Sequence, residues 1–156
     1  MGAPDEMTIR CATPADEDAV LALFEELFDP PGRRPRGYTR ERADAGFRHA
    51  LANPDADILL AVAEDGAIIG LASVYVDLES IRFGRRCWLE DLVVTATRRS
   101  QGIGRRLLDA STAWARERGC THLLLNSALT RTDAHRFYLA SGMTQTSLNF
   151  GREIER

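Results

Sequence analysis

Residues 90–108 read EDLVVTATRRSQGIGRRLL, and they predict a strand, a glycine-containing turn and a helix in immediate succession. The apolar run at 92–94 is typical of a buried strand. Gly102 and Gly104 stand where the helix begins, and the absence of Cβ atoms there lets backbone amides approach a ligand. The first amides of a helix lack intrahelical partners and lie at its positive end, so this turn favours a phosphate. Arg99, Arg105 and Arg106 add positive charge beside it.

Two better-known phosphate-binding turns do not fit this stretch. A dinucleotide-binding fingerprint needs a third glycine where Leu107 stands, and it belongs after the first strand of a domain. A P-loop needs a lysine, and all 20 basic residues of the chain are Arg. A purely structural glycine turn stays open as the alternative at this point.

Outward from this stretch, apolar periodicity and turn residues predict six strands and four helices. The strands are predicted at 7–10, 58–63, 67–76, 87–94, 121–126 and 144–150, and the helices at 13–28, 39–52, 104–118 and 133–141. The order βααβββαβαβ predicts an α/β fold in which helices flank a mixed central sheet. With 156 residues and no long linker, the chain is expected to be a single domain, 1–156. Residues 1–6 are expected to be a disordered or cloning-derived extension.

Charge and cysteine content exclude several classes of protein. The net charge of −3 argues against nucleic-acid binding, and no apolar run is long enough to span a membrane. Residues 1–80 carry −9 and residues 81–156 carry +6, which suits a polyanionic ligand on the second half. The first half suits a cationic ligand, or its charge serves solubility. Three scattered cysteines encode neither a disulfide framework nor a zinc site, so we expect a cytoplasmic protein without a metal.

The motif Arg99-Ser-Gln-Gly102-Ile-Gly104 resembles the R/Q-x-x-G-x-G/A motif of the GCN5-related N-acetyltransferases (GNAT). The segment 134–143, AHRFYLASGM, is similar to a second motif of that family and lies at the family's spacing. The stretch 133–139, DAHRFYL, looks closest to members that acetylate small amines, including aminoalkylphosphonate acetyltransferases. The resemblance covers nearly the whole chain and implies a GNAT-like, mostly antiparallel sheet.

The resemblance implies acetyl-CoA as co-substrate and a primary amine of a small molecule as acceptor, with direct transfer of the acetyl group. The alternatives are a protein N-terminal or lysine acetyltransferase, and a non-catalytic acyl-CoA-binding regulatory module. A homodimer is left open, because dimers are frequent in similar proteins. Many members have Asn where Arg131 stands here, so Asn126 is the substitute candidate. The implied cofactor-binding residues are Leu92, Val93, Val94, Arg99, Ser100, Gln101, Gly102, Ile103, Gly104, Arg105 and Asn126.

Tyr138 and Glu90 are the candidate acid and base of the transfer. Tyr138 matches the family tyrosine near the CoA sulfur, and packing beside Phe137 is the alternative. Strand alternation predicts that Glu90 shares a face with Leu92, while Asp91 points to the opposite side of the sheet. Asp91 is the alternative carboxylate.

Two further assignments stay open at this point. Glu90 has a purely structural alternative, an ion pair with Arg85 or Arg86. The arginines of the first loop, Arg33, Arg34 and Arg36, either clamp an anionic acceptor or form a solvated loop.

Overall fold

The computed structural model describes residues 7–155, and the extension expected at 1–6 lies outside them. The chain divides into two compact units, Met1–Leu125 and Asn126–Arg156. Within the described part of the first unit the strands are β1 (Thr8–Cys11), β2 (Ala56–Val62), β3 (Ile68–Val76), β4 (Arg86–Val94) and β5 (His122–Leu124). The helices are α1 (Glu17–Glu25), α2 (Arg40–Ala52) and α3 (Ile103–Glu117), and the second unit contains α4 (Thr132–Ala140).

The five strands form one mixed sheet in the order β1-β2-β3-β4-β5. The first three pairings are antiparallel, and only β4 and β5 run parallel. The parallel pair requires a crossover, and α3 supplies it. The predicted mixed, mostly antiparallel sheet with flanking helices is confirmed.

Side-chain hydrogen bonds fix the turn before α1 and the start of α2. Asp16 accepts hydrogen bonds from the Thr13 backbone N–H at 2.7 Å and from the Arg10 guanidinium at 2.8 and 2.9 Å. The Arg10 bonds are the main reason that the pKa of the Asp16 carboxyl lies far below its usual value. Thr39 caps α2 by accepting from the Arg42 backbone N–H at 3.2 Å. The Thr39 cap satisfies an amide that α2 cannot satisfy internally.

The sheet is covered on both faces by apolar side chains of the helices. Helices α1 and α2 pack on one face, where Val20, Leu21, Leu23 and Phe47 meet residues of the strands. Helix α3 covers the other face with Ile103, Leu107 and Leu108, which are buried. A Cβ at Gly70 on β3 would lie 3.0 Å from Leu107 Cδ1, so this glycine permits the close approach of α3. The glycine turn at the start of α3 is therefore anchored on the sheet.

One predicted element is wrong in the structure, and one is shorter than predicted. Residues 144–150 form no strand, and their side chains are exposed. The segment contains two large apolar side chains, Leu148 and Phe150, and too little apolar surface to stabilise a strand by burial. The fifth strand spans three residues rather than the predicted 121–126. The other helices and strands begin and end within a few residues of the predicted positions.

Candidate active site

A β-bulge interrupts the pairing of β3 and β4 at Glu90. Ser73 lies opposite Asp91 and the next residue, Val74, lies opposite Leu89, so Glu90 is an extra residue on its strand. The Ser73 side chain repairs the ladder: its Oγ accepts from the Asp91 backbone N–H at 3.1 Å and donates to Asp91 Oδ2 at 3.0 Å. Bulges bend a strand and redirect its side chains, and they are frequent next to active sites.

The bulge overturns the predicted side of the sheet for Glu90, whereas Asp91 lies on the face opposite Leu92 as predicted. After the extra residue, Asp91 and Val93 share the face of Ser73 and Leu71, while Leu92 is paired with Ala72 on the other face. Strand alternation assumes one residue per pleat step, and Glu90 breaks that count. Both Glu90 and Asp91 therefore border the same cavity.

This cavity has a volume of about 480 Å³ and lies between helices α1 and α2 and the face of strands β2 to β4. Leu21, Phe24 and Phe47 line it from the helices, and Ile58 and Val74 line it from the strands. The polar side chains include those of His49, Tyr38, Tyr75, Ser73, Glu90 and Asp91. A largely apolar cavity with a few convergent polar groups is the usual form of a small-molecule site.

The two carboxylates differ in their surroundings. Asp91 is largely buried, and burial raises the pKa of its carboxyl to about 6. The Ser73 hydrogen bond lowers this pKa, and the neighbouring Glu90 charge raises it. Glu90 is exposed and accepts from the Tyr75 hydroxyl at 3.4 Å. The pKa of Tyr75 is raised, first by burial and then by the Glu90 charge.

The structural alternative for Glu90, an ion pair with Arg85 or Arg86, does not form. Arg85 pairs with Asp55 at 3.3 Å, and Arg86 pairs with Asp77 at 3.6 Å. Among the described residues, the hydrogen bond from Tyr75 is the polar contact of the Glu90 side chain. A carboxylate without a cationic partner at the edge of a cavity is available for a positively charged ligand.

The glycine turn after β4 has the geometry of an anion-binding helix start. Ser100 and Gly102 have φ angles of 61° and 80°, so the chain turns tightly before α3 begins at Ile103. A Cβ at Gly102 would meet no atom within 4 Å among the described residues, so a ligand can approach that backbone. The Arg99 side chain donates to the Val94 carbonyl at 3.2 Å, and Arg98 donates to Gln101 Oε1 at 3.1 Å. These contacts hold two guanidinium groups beside the turn.

Sequence reasoning missed Glu26, which binds the segment leading into this turn. Its carboxylate accepts from Thr95 Oγ1 at 2.8 Å and from the Ala96 backbone N–H at 2.9 Å. It also lies 4.0 Å from the Arg99 guanidinium. Glu26 follows directly after α1, about seventy positions earlier in the chain, and no local pattern could signal this contact.

Beyond the bulge, one edge of β4 is open. The pairing of β4 with β5 ends at Trp88 and Leu124, and across residues 7–155 no further strand pairs with that edge. Leu92, Val93 and Val94 follow on this edge, immediately before the turn. Open backbone groups there can pair with an extended ligand as a neighbouring strand would.

The first-loop arginines do not line the cavity. Arg34 lies over the rings of Phe28 and Tyr38, at 4.9 and 5.0 Å from their centroids, and 3.7 Å from Glu25. Tyr38 itself lines the cavity, so the stacked guanidinium lies behind this part of the wall.

Two predicted site residues belong to the second unit. Tyr138 lies in α4, half-buried, with its ring centroid 5.3 Å from that of Phe137. Asn126 is exposed at the first position of the unit. Residues 7–155 contain no group of three or more His, Cys, Asp or Glu side chains suited to a metal, and no helix there could cross a bilayer.

The model of the acetyltransferase (GNAT) family matches residues 19–143. The chain belongs to this family. It is an acetyl-CoA-dependent N-acetyltransferase, which confirms the resemblance carried by the motifs at 99–104 and 134–143.

Curated relatives and solved structures agree with this assignment. The chain is 31% identical over 146 residues to an aminoalkylphosphonate N-acetyltransferase of Salmonella typhimurium, covering 94% of this chain and 90% of the relative. It is 35% identical over 143 residues to an aminoglycoside N(6')-acetyltransferase type 1 of Klebsiella aerogenes, covering 89% of this chain and 90% of the relative. The structure of AAC(6')-Iy in complex with a bisubstrate analogue matches with a TM-score of 0.82 at 19% identity, over 96% of this chain and 99% of that one. At this identity the structural match shows the fold.

Proposed function

We propose that this enzyme transfers the acetyl group of acetyl-CoA directly to the primary amine of a small molecule. The observation that carries the proposal is the cavity in which Glu90 and Asp91 lie side by side at the bulge of β4. The same strand continues to the glycine turn, so the acceptor cavity and the cofactor turn lie along one element. Two curated relatives are named for acetylating small amines, which supports the same class of acceptor.

The turn and the strand before it fit acetyl-CoA. Backbone amides from Arg99 through Gly104 would hold the pyrophosphate, because the start of α3 provides unpaired N–H groups and open space at Gly102. Arg105 would add positive charge. Leu92, Val93 and Val94 would pair with the pantetheine arm along the open edge of β4. Asn126 would add a polar contact. When bound, acetyl-CoA supplies an activated acetyl thioester.

Glu26 keeps this cofactor segment in place. Its carboxylate fixes Thr95 and Ala96 and lies beside Arg99, so the end of α1 is joined to the residues that enter the turn. Charge-assisted hydrogen bonds of this length are among the stronger polar contacts in proteins. Glu26 is a positioning residue in this proposal.

The carboxylate pair prepares the acceptor. An amine arrives mostly as an ammonium ion and must lose a proton before it can attack a carbonyl carbon. Glu90, exposed at the cavity, attracts the ammonium ion. Together with Asp91, whose pKa of about 6 suits a base at neutral pH, it takes the proton.

The remaining proton movement is assigned to Tyr138. As the C–N bond forms and the C–S bond breaks, the Tyr138 hydroxyl donates a proton to the departing sulfur. A backbone N–H near Leu92 polarises the carbonyl, as an oxyanion-hole donor does. The nitrogen must also lose a second proton, which restores the Tyr138 hydroxyl through solvent. One proton then remains on the CoA thiol, and the proton taken by the carboxylates is released to water.

Release of CoA thiol in the presence of a panel of small amines tests the proposal. Amine-dependent release, with an N-acetylated product seen by mass spectrometry, is the expected result. Acetylation of peptide N-termini or lysines without any reaction of small amines would make the enzyme a protein acetyltransferase. Binding of acetyl-CoA without turnover of any acceptor would make the chain a regulatory module.

A further inference from the structure

The cavity next to the bulge has walls whose chemistry selects among small amines. Glu90 and Asp91 give this cavity negative charge. None of its lining residues, all from the described part of the chain, is Arg. A third carboxylate in the lining, that of Asp57, is engaged elsewhere, since it accepts from Trp114 Nε1 on α3 at 3.1 Å. The chain has 20 arginines, so the lack of Arg in this lining is not explained by a shortage of arginine in the sequence.

This cavity would bind an anionic acceptor weakly. Proteins recognise phosphate, phosphonate and carboxylate groups with arginine forks or helix amides, and this cavity offers two carboxylates instead. Arg34 lies over the ring of Tyr38, but its charge faces Glu25 at 3.7 Å. An acceptor carrying a phosphonate would place its charge near Glu90 and Asp91 without compensation.

A polyhydroxylated acceptor would place several of its hydroxyl groups against apolar side chains. Most of the wall is apolar, including Leu21, Phe24, Phe47 and Ile58, and the polar side chains, among them Tyr38, His49 and Tyr75, are few. Each polar group of a ligand that loses water without finding a partner weakens binding substantially. An acceptor with a compact apolar body and one ammonium group satisfies both the walls and the carboxylates.

We infer that the acceptor is an alkylamine or arylalkylamine with an apolar body and no anionic group. This inference rests on the proposed small-amine function and narrows its substrate class. In a series of linear alkylamines, each added methylene raises kcat/KM about fourfold until the cavity is filled, which corresponds to about 0.8 kcal/mol. The kcat/KM for phenethylamine is expected to exceed that for phenylalanine by about 100-fold or more. The two differ by one carboxylate, which in phenylalanine would face Glu90 and Asp91.

Gly46 offers a variant that tests the charge argument within the same cavity. It lies in the middle of α2, lines the cavity, and a Cβ there would meet no described atom within 4 Å. Gly46→Arg adds a cation at the wall, and Gly46→Gln adds a neutral side chain of similar reach. Relative to the Gln variant, the Arg variant is expected to lose about fivefold in kcat/KM for phenethylamine and to gain about fivefold for 2-aminoethylphosphonate.

The experiment measures kcat/KM by CoA release for alkylamines, phenethylamine, phenylalanine, 2-aminoethylphosphonate and kanamycin, with the wild type and both Gly46 variants. Higher kcat/KM for 2-aminoethylphosphonate or kanamycin than for phenethylamine would overturn the inferred class and leave the small-amine function standing. Equal selectivity of the Arg and Gln variants would show that the acceptor does not occupy this cavity, and would overturn the inference as well. If no small amine releases CoA, the inference and the proposed function fail together.

Discussion

Asp91→Asn is the substitution whose consequences follow most directly from the structure. Burial raises the pKa of this carboxyl from 3.8 to about 6, so folding disfavours its charged form. For an acid whose pKa is raised by folding, the free-energy cost of its charge is absent below the pKa of the unfolded state. The cost grows between the two pKa values and is complete above the pKa of the folded state. The charge therefore destabilises the wild type by about 1 kcal/mol at pH 4.5 and about 3 kcal/mol at pH 8.

Asparagine removes that charge and keeps an oxygen that can accept from the Ser73 hydroxyl. We expect Asp91→Asn to be more stable than the wild type, by a margin that grows by about 2 kcal/mol between pH 4.5 and pH 8. Urea unfolding at both pH values measures this margin. A margin that stays constant with pH would show that Asp91 does not carry the charge cost assigned to it.

The same substitution has the opposite effect on activity. If Asp91 takes the proton of the acceptor, kcat/KM of the wild type falls below pH 6, and the Asn variant loses about 100-fold at neutral pH together with this acid limb. Ser73→Ala removes a hydrogen bond that lowers the pKa, so its acid limb moves to higher pH. Glu90→Gln removes a charge that raises the pKa, so its limb moves to lower pH. An Asn variant that keeps the wild-type pH profile would exclude Asp91 as the base.

Three further predictions concern the cofactor and the acid. Saturating acetyl-CoA at about 100 times its Kd stabilises the wild type by about 2.7 kcal/mol, and Gly102→Val abolishes this thermal shift because its side chain occupies the open space at the turn. A Val variant with the full ligand-induced shift would contradict the placement of the pyrophosphate. Tyr138→Phe keeps acetyl-CoA binding, measured by calorimetry, but lowers kcat by about 10²-fold or more. An unchanged kcat, with the chemical step rate-limiting, would show that Tyr138 has only a packing role. Glu26→Gln raises the KM for acetyl-CoA about fivefold to tenfold with little change in kcat, since the amide cannot accept from both Thr95 and Ala96. Glu25→Gln, on the exposed side of the same helix end, is the control and leaves this KM unchanged.

Local patterns in the sequence were sufficient for most of the fold. Helix α2 begins after Thr39 and ends before Asn53, as its cap and breaker predict. The glycine turn precedes α3 as expected, because the conformation of Gly102 is a local requirement. The strand predicted at 144–150 is wrong because alternation alone does not supply the apolar burial that stabilises a strand.

The candidate site depended more strongly on long-range pairing. The sequence alone identified the residue types of the candidate site, which are a carboxylate pair on β4, a glycine turn and a tyrosine in a family motif. The direction of the Glu90 side chain could not be predicted, because the bulge depends on the pairing of Ser73 with Asp91 and no local pattern in the strand signals it. The partner of Glu26 was equally hidden, since its contacts join segments about seventy residues apart.

The sequence by itself determined the family, the mixed α/β sheet and the position of the turn that suits a phosphate, since each follows from neighbouring residues or a short motif. Only the tertiary structure decided that Glu90 and Asp91 face one cavity, that apolar walls without arginine surround them, and that Asp91 has a raised pKa. The physical reason is that burial, dielectric environment and strand register are set by what packs against a residue, and residues distant in the chain supply those contacts.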